Sequence, residues 1–102
     1  MTDLSTSLDL ETRRKRLRFR AWHRGFKEAD LIMGRFADAH LESLSVDEVA
    51  EFERLLDAPD QDVYGWVIGR EPTPDKYQGP VMRALQVFRV EDGAEFGDGP
   101  AI

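Results

Sequence analysis

The sequence predicts an all-α fold: a compact five-helix bundle with short loops and flexible tails. Three observations carry this. Apolar residues recur at helical spacing, most clearly Tyr77, Val81, Ala84, Leu85 and Phe88 at i, i+4, i+7, i+8 and i+11. No segment sustains the period-two alternation of a half-buried strand. Helix punctuation also recurs along the chain. Ser45-Val46-Asp47-Glu48 is a capping box before an apolar run, and Gly25, Gly69 and Pro72 stand where helices should stop.

The first helix is expected over about residues 10–23, after a polar tail and a cap at Ser7 or Asp9. Leu10, Leu17 and Ala21 mark one apolar face, and Phe19, Trp22 and Phe26 form a second apolar line. Gly25 ends the helix, because glycine takes positive φ without a Cβ clash. A second helix follows over residues 27–40, with Leu31, Ile32, Phe36 and Ala39 as its buried stripe. Gly34 inside it costs about 1 kcal/mol relative to alanine; close packing on a neighbouring helix and simple tolerance are both open.

The capping box starts a third helix over residues 46–56, with Val49, Phe52, Leu55 and Leu56 inward. Asp60 can cap a short fourth helix over residues 61–68, carrying Val63, Tyr64, Trp66, Val67 and Ile68. Thr73 followed by Pro74 reads as an N-cap and first helical position, which starts a last helix running to about residue 90. The expected organisation is a flexible tail over residues 1–8, one helical domain over 9–90, and a flexible acidic, glycine-containing tail over 91–102.

Length and composition narrow the function. The 102 residues suit one domain with a modest core and little room for a deep cofactor pocket. With 41% hydrophobic and 33% charged residues, the balance is that of a globular domain rather than a disordered or membrane one. The absence of cysteine excludes a disulfide framework, a thiol nucleophile and a thiolate metal site. His23 and His40 match no metal-ligand spacing, so no metal is expected. No glycine-rich phosphate loop is present, so tight binding of a nucleotide cofactor by this chain alone is not expected. No apolar run could span a bilayer, and the N-terminus lacks secretory and mitochondrial leader character, which points to a cytoplasmic protein.

The formal net charge is −6, unevenly distributed. Met1 to Glu28 holds eight Lys/Arg against four Asp/Glu, whereas the remainder holds six against sixteen. Two electrostatically different faces are expected, one of which could meet an acidic partner. The run Arg13-Arg14-Lys15-Arg16 raises a nucleic-acid reading, but a helix spreads these residues around its circumference, and the overall acidity opposes it.

The most informative stretch is Trp22-His23-Arg24-Gly25-Phe26-Lys27-Glu28-Ala29-Asp30, which crowds unlike charges around one glycine at the first helix joint. Read plainly, it is a joint whose Glu28 and Asp30 favour the positive end of the second helix and whose Arg24 favours the negative end of the first. Read functionally, Arg24 is a planar donor fork, Glu28 a charged acceptor, and Gly25 a point of close backbone approach. Phe26 is an aromatic anchor if exposed, or a staple onto Trp22.

Arg24-Gly25-x-x-Glu28, with Asp30 in step, resembles the signature of the SdhE-like flavinylation factors. The resemblance continues through Ser43 to Glu48, Phe52 and Arg54-Leu55-Leu56. It also takes in Asp60-Gln61-Asp62-Val63-Tyr64-Gly65-Trp66, so that it covers residues 13–90. It departs at His23, where many relatives carry arginine, and in the tails. The resemblance implies a five-helix assembly factor without turnover of its own. Such a factor binds the immature flavoprotein subunit of succinate dehydrogenase, or of fumarate reductase, and promotes covalent attachment of that partner's FAD. It implies a partner-binding face of Arg24, Gly25, Glu28 and Asp30, which His23 and Phe26 flank. A free monomer is expected, with no nucleic acid bound and no membrane insertion. A general protein-interaction adaptor, a basic-helix nucleic-acid module and a small enzyme are the competing readings; no residue here explains turnover.

Overall fold

The computed structural model describes the backbone of residues 2–92 and the side chains of residues 10–89. Five α-helices run in order: α1 (Thr2–Ala21), α2 (Lys27–His40), α3 (Val46–Asp57), α4 (Asp60–Val67) and α5 (Pro80–Asp92). Single 3-10 turns at Leu41–Ser43 and Asp75–Tyr77 join α2 to α3 and lead into α5. The expected all-α five-helix class is borne out.

The boundaries of α2 and α3 follow local chemistry. Ser45 Oγ accepts from the Glu48 amide, and the Glu48 carboxylate accepts from the Ser45 amide, so the capping box closes as the sequence implies. α1 begins at Thr2 rather than at residue 10 and passes through both expected caps, Ser7 and Asp9. No glycine or proline interrupts residues 2–9, and a helix in progress needs no cap there. The expected C-terminal tail lies outside the described residues from 93 onward, while Glu91 and Asp92 belong to α5.

The last helix corrects the expectation more sharply. It starts at Pro80, not Pro74; Thr73 and Pro74 precede a 3-10 turn. Gly79 accepts the Arg83 amide as the last residue before the helix, and Pro80 has no N–H to satisfy. The next two amides, of Val81 and Met82, donate to the Glu51 carboxylate of α3 at 3.1 and 3.0 Å. Glu51 is buried at 5% exposure and caps α5 from thirty residues away. A Cβ at Gly79 would lie 2.5 Å from Glu51 Oε2, so only glycine lets the carboxylate in. Tyr77 is thereby left outside the helix, stacked on Trp66 at 4.8 Å. Ala84, expected inward, is exposed.

The core gathers around Phe36 of α2, whose ring meets Phe52 of α3 and Phe88 of α5 edge-on, each at 5.6 Å. Leu17, Leu41, Leu55, Met82 and Leu85 are sealed beside it. In the expected stripe of α2, Ile32 and Phe36 are buried, but Leu31 is half-buried and Ala39 exposed. The buried stripe also takes in Ala29, Met33 and Ala37, and Ala29 and Met33 face Leu55, Leu56 and Val63 across a small cavity. Gly34 is one contact point: a Cβ there would lie 2.2 Å from Trp22 Cδ2. The indole of α1's end lies flat on the missing side chain. Trp22 is therefore engaged with α2 and does not form an apolar line with Phe19 and Phe26.

Two predictions follow from this packing. Gly34→Ala should lower thermal stability by roughly 1–3 kcal/mol through overpacking against Trp22, despite alanine's better helix propensity; a Tm at or above wild type would contradict the close packing. Glu51→Ala should cost about 2–3 kcal/mol by orphaning two buried amides, and Glu51→Gln should cost less because one acceptor oxygen remains. Urea titration of the three proteins gives the ranking.

Candidate functional site

The joint between α1 and α2 spans residues 22–26. The chain leaves α1 with the Trp22 and His23 amides bonded back to Arg18 and Arg20 carbonyls. Gly25 has φ +140°, a conformation that side chains rarely adopt, as the sequence anticipates for a helix stop. Phe26 enters α2 in an extended conformation and offers no side-chain cap. The Asp30 carboxylate reaches back instead and accepts the Arg24 amide. The turn is thus closed by an acid already inside α2.

Arg24 holds the joint to the rest of the molecule. Its Nε and Nη2 donate to Asp60 Oδ1 at 3.0 and 2.6 Å. Nη2 also reaches the Leu56 carbonyl at 2.8 Å, and Nη1 the Arg20 carbonyl at 3.0 Å. One guanidinium therefore joins the C-terminal turns of α1 and α3 to the first residue of α4. Both carbonyls lie at the negative ends of helix dipoles, where a cation is favoured. The Arg24 side chain is only 13% exposed, so the pair is largely screened from water. A cavity of about 10 Å³ lies beside it between Met33 and Leu55, room for one water at most.

Asp60 was expected to cap α4. It makes no such cap; Pro59 precedes the helix, and the Asp60 carboxylate is turned to Arg24 instead. Gly25 is shaped by the same contact, since a Cβ there would stand 3.0 Å from Asp60 Oδ2. Phe26 is half-buried, its ring edge-on to Tyr64 of α4 at 5.1 Å and not stapled to Trp22.

The six residues singled out in sequence thus divide. Arg24, Gly25, Phe26 and Asp30 build the joint. Glu28, in the first turn of α2, is exposed, as is its neighbour Lys27. His23 is also exposed, its ring stacked on Phe19 at 4.0 Å with Nδ1 2.6 Å from the Phe19 carbonyl. Sequence reasoning missed Asp60 as the partner of Arg24 and Tyr64 as the seat of Phe26. Both stand in the Asp-x-Asp-(aliphatic)-(aromatic)-x-Trp stretch, which was the available signal.

The basic segment is distributed in the same way. Arg13 forms a two-pronged pair with Glu53 at 2.8 and 2.9 Å, and Arg14 donates to the Leu44 carbonyl at 2.8 Å. Arg20 meets Asp57 at 2.6 Å, and Arg18 meets Asp38 and Glu42 at 3.3 and 3.6 Å. Much of the expected basic face is matched by the acidic body of the same molecule. Among the described residues, no group of acids and histidines could hold a metal ion, and no helix is long and apolar enough to cross a membrane.

Comparison with known proteins places these features. Residues 15–89 match a family described as the flavinator of succinate dehydrogenase. Over 77 residues the chain is 36% identical to the FAD assembly factor SdhE of Acetobacter pasteurianus, a match covering 76% of this chain and 71% of that protein. It is 39% identical over 80 residues to the mitochondrial succinate dehydrogenase assembly factor 2 of Meyerozyma guilliermondii, covering 74% of this chain and 59% of that one. The mitochondrial succinate dehydrogenase assembly factor 2-A of Drosophila yakuba is 37% identical over 79 residues, 76% of this chain and 49% of its own length. The chain therefore spans about half to three-fifths of these mitochondrial relatives.

Removing either side of the clamp leaves the other uncompensated. Arg24→Ala and Asp60→Ala should each cost about 2–3 kcal/mol, a fall in Tm on the order of 10 °C for a domain of this size. The double variant should cost much less than their sum, a non-additivity that calorimetry on the four proteins measures directly. Additive losses would show that the two side chains act separately.

Proposed function

This chain belongs to the family of succinate dehydrogenase flavinators, and from that membership we propose that it binds the immature flavoprotein subunit of succinate dehydrogenase and promotes covalent attachment of that subunit's FAD. It acts as an assembly factor with no turnover of its own. The client's own histidine makes the bond to the 8α position of FAD, and this chain holds the client in a conformation that favours it. The flavoprotein of fumarate reductase is a second client within the same proposal. The factor works as a monomer in the cytoplasm, acting on FAD held by its client rather than by itself.

The observation that supports this reading best is the exposed placement of Glu28 beside the clamped joint. Its carboxylate stands exposed in the first turn of α2, two residues from a joint closed by Asp30 and clamped by Arg24. Because the backbone beneath it is held, docking costs only the rotamer freedom of the Glu28 side chain itself. Gly25, itself exposed, lets a partner backbone come close beside it. In this reading Glu28 and His23 touch the client, while Arg24, Gly25, Phe26 and Asp30 fix the surface they stand on. The nucleic-acid alternative loses support, because Arg13 and Arg14 from its basic run have partners inside the fold.

In cells lacking this gene, covalent flavin on the client, read as in-gel fluorescence, should fall severalfold and return with the wild-type protein. Glu28→Ala should fail to restore it while keeping the wild-type Tm. Gly25→Arg should fail in both respects, since an arginine there meets an unfavourable φ and Asp60. Full restoration by a folded Glu28→Ala protein would remove Glu28 from the contact surface. Normal flavin in the deleted strain would overturn the proposed function.

A further inference from the structure

The outward face of α1 has chemistry that the fold itself does not use. Thr12, Lys15, Arg16 and Phe19 are all exposed. At 3.6 residues per turn they fall within about 100° of the helix circumference. His23, just beyond the helix, folds back onto the same line through its stack with Phe19. Glu11 borders the face one turn before Lys15.

Phe19 is 64% exposed, the only aromatic residue among the large exposed hydrophobics of the described chain. A single exposed apolar side chain is ordinary, but this ring is held in place. The His23 ring lies 4.0 Å from it at 22°, and the Phe19 carbonyl in turn fixes His23 Nδ1 at 2.6 Å. A carbonyl oxygen only accepts, so Nδ1 carries the hydrogen and Nε2 remains the ring's free nitrogen. The cations are selective in the same sense. Arg13, Arg14, Arg18, Arg20 and Arg24 all have partners within the fold. Lys15 and Arg16, on the outward face, have none among the described residues.

We propose that this face is a second docking surface for the flavoprotein client, taking an acidic segment whose carboxylates meet Lys15 and Arg16 and whose apolar side chain covers the Phe19–His23 stack. The proposal rests on the family reading above and extends it along α1 from the joint, through His23. Charge complementarity selects the occupant. On a chain of net charge −6, this face keeps Lys15 and Arg16 without an ion-pair partner among the described residues, beside an aromatic ring stacked on His23. The preset ring offers contact area at little entropic cost, as aromatic anchors do elsewhere.

Binding of the purified chain to the client flavoprotein carrying non-covalent FAD tests this, by calorimetry at about 50 and about 300 mM salt, a range over which screening of exposed charges is strong. The paired reversal Lys15→Glu with Arg16→Glu should weaken binding about tenfold at low salt and flatten the salt dependence. Phe19→Ser should weaken it about tenfold with the salt dependence retained. Both should stay close to the wild-type Tm, since all three side chains are exposed. Wild-type affinity in both variants, with Glu28→Ala still impaired, would overturn the second surface and leave the proposed function standing. Failure of the wild-type chain itself to bind the client would overturn both. Binding to vesicles containing anionic lipid or to duplex DNA that the reversal abolishes, with client binding unchanged, would assign the face to another ligand and overturn the proposal.

Discussion

The Arg24 guanidinium reaches Asp60, the Leu56 carbonyl and the Arg20 carbonyl at once, and the geometry of the α1–α2 joint depends on that reach. Helix ends expose unpaired carbonyls, and two of these ends would otherwise face each other with like partial charge. A cation between them turns repulsion into attraction. The Asp60 carboxylate then balances the cation, so the site carries no uncompensated charge despite its low exposure. Gly25 follows from the same arrangement. Its φ of +140° is one that side chains rarely adopt, and Asp60 Oδ2, 3.0 Å from where a Cβ would stand, adds a tight contact. The direction in which α2 leaves the joint, and hence the position of Glu28, is set by these contacts.

The charge asymmetry of the chain finds its explanation in the same packing. Arginines of α1 pair with acids of α2, α3 and the turn between them: Arg18 with Asp38 and Glu42, Arg13 with Glu53, Arg20 with Asp57. Each pair is partly exposed, and such pairs contribute about 0.2–1 kcal/mol apiece. Their combined effect is on register more than on stability, because shifting α1 by one residue would separate all of them together. Leu17 and Ala21 then enter the core between these arginines. Opposite charges in separate segments of a sequence are often read as a surface for another molecule. Here four arginines of the basic segment, Arg13, Arg18, Arg20 and Arg24, complete the molecule's own interface with acids of the body.

How much of this could be read from the residues depended on the range of the deciding interaction. α2 and the start of α3 were legible because their limits are local: a glycine joint, and a serine and a glutamate three residues apart. The start of α5 was not. Thr73-Pro74 and Gly79-Pro80 each carry a proline suited to a first helical position, and local chemistry does not choose between them. The choice falls to Glu51, whose carboxylate satisfies the amides after Pro80 from another helix. At the candidate site, Gly25's positive φ and the exposure of Glu28 were legible. The inward turn of Arg24 was not, since an arginine at a helix end is ordinarily solvated and its partner lies 36 residues away. Asp60, placed just before a helix, offered a cap as the simpler local answer.

That distance also explains why two of the stretches that carry the resemblance to flavinylation factors stand far apart in the sequence. Arg24-Gly25-x-x-Glu28 and the segment beginning at Asp60 are one structural unit, joined by the clamp and by the Phe26–Tyr64 contact beside it. The first stretch supplies the exposed acceptor, and the second supplies the counter-charge and the ring that hold it in place. A lysine at position 24 would keep the charge but lose the unit: one ammonium cannot offer the planar fork that serves a carboxylate and two carbonyls from different helices. The requirement for arginine is therefore geometric. It arises inside the protein, from the three helix ends that meet there, before any partner is considered.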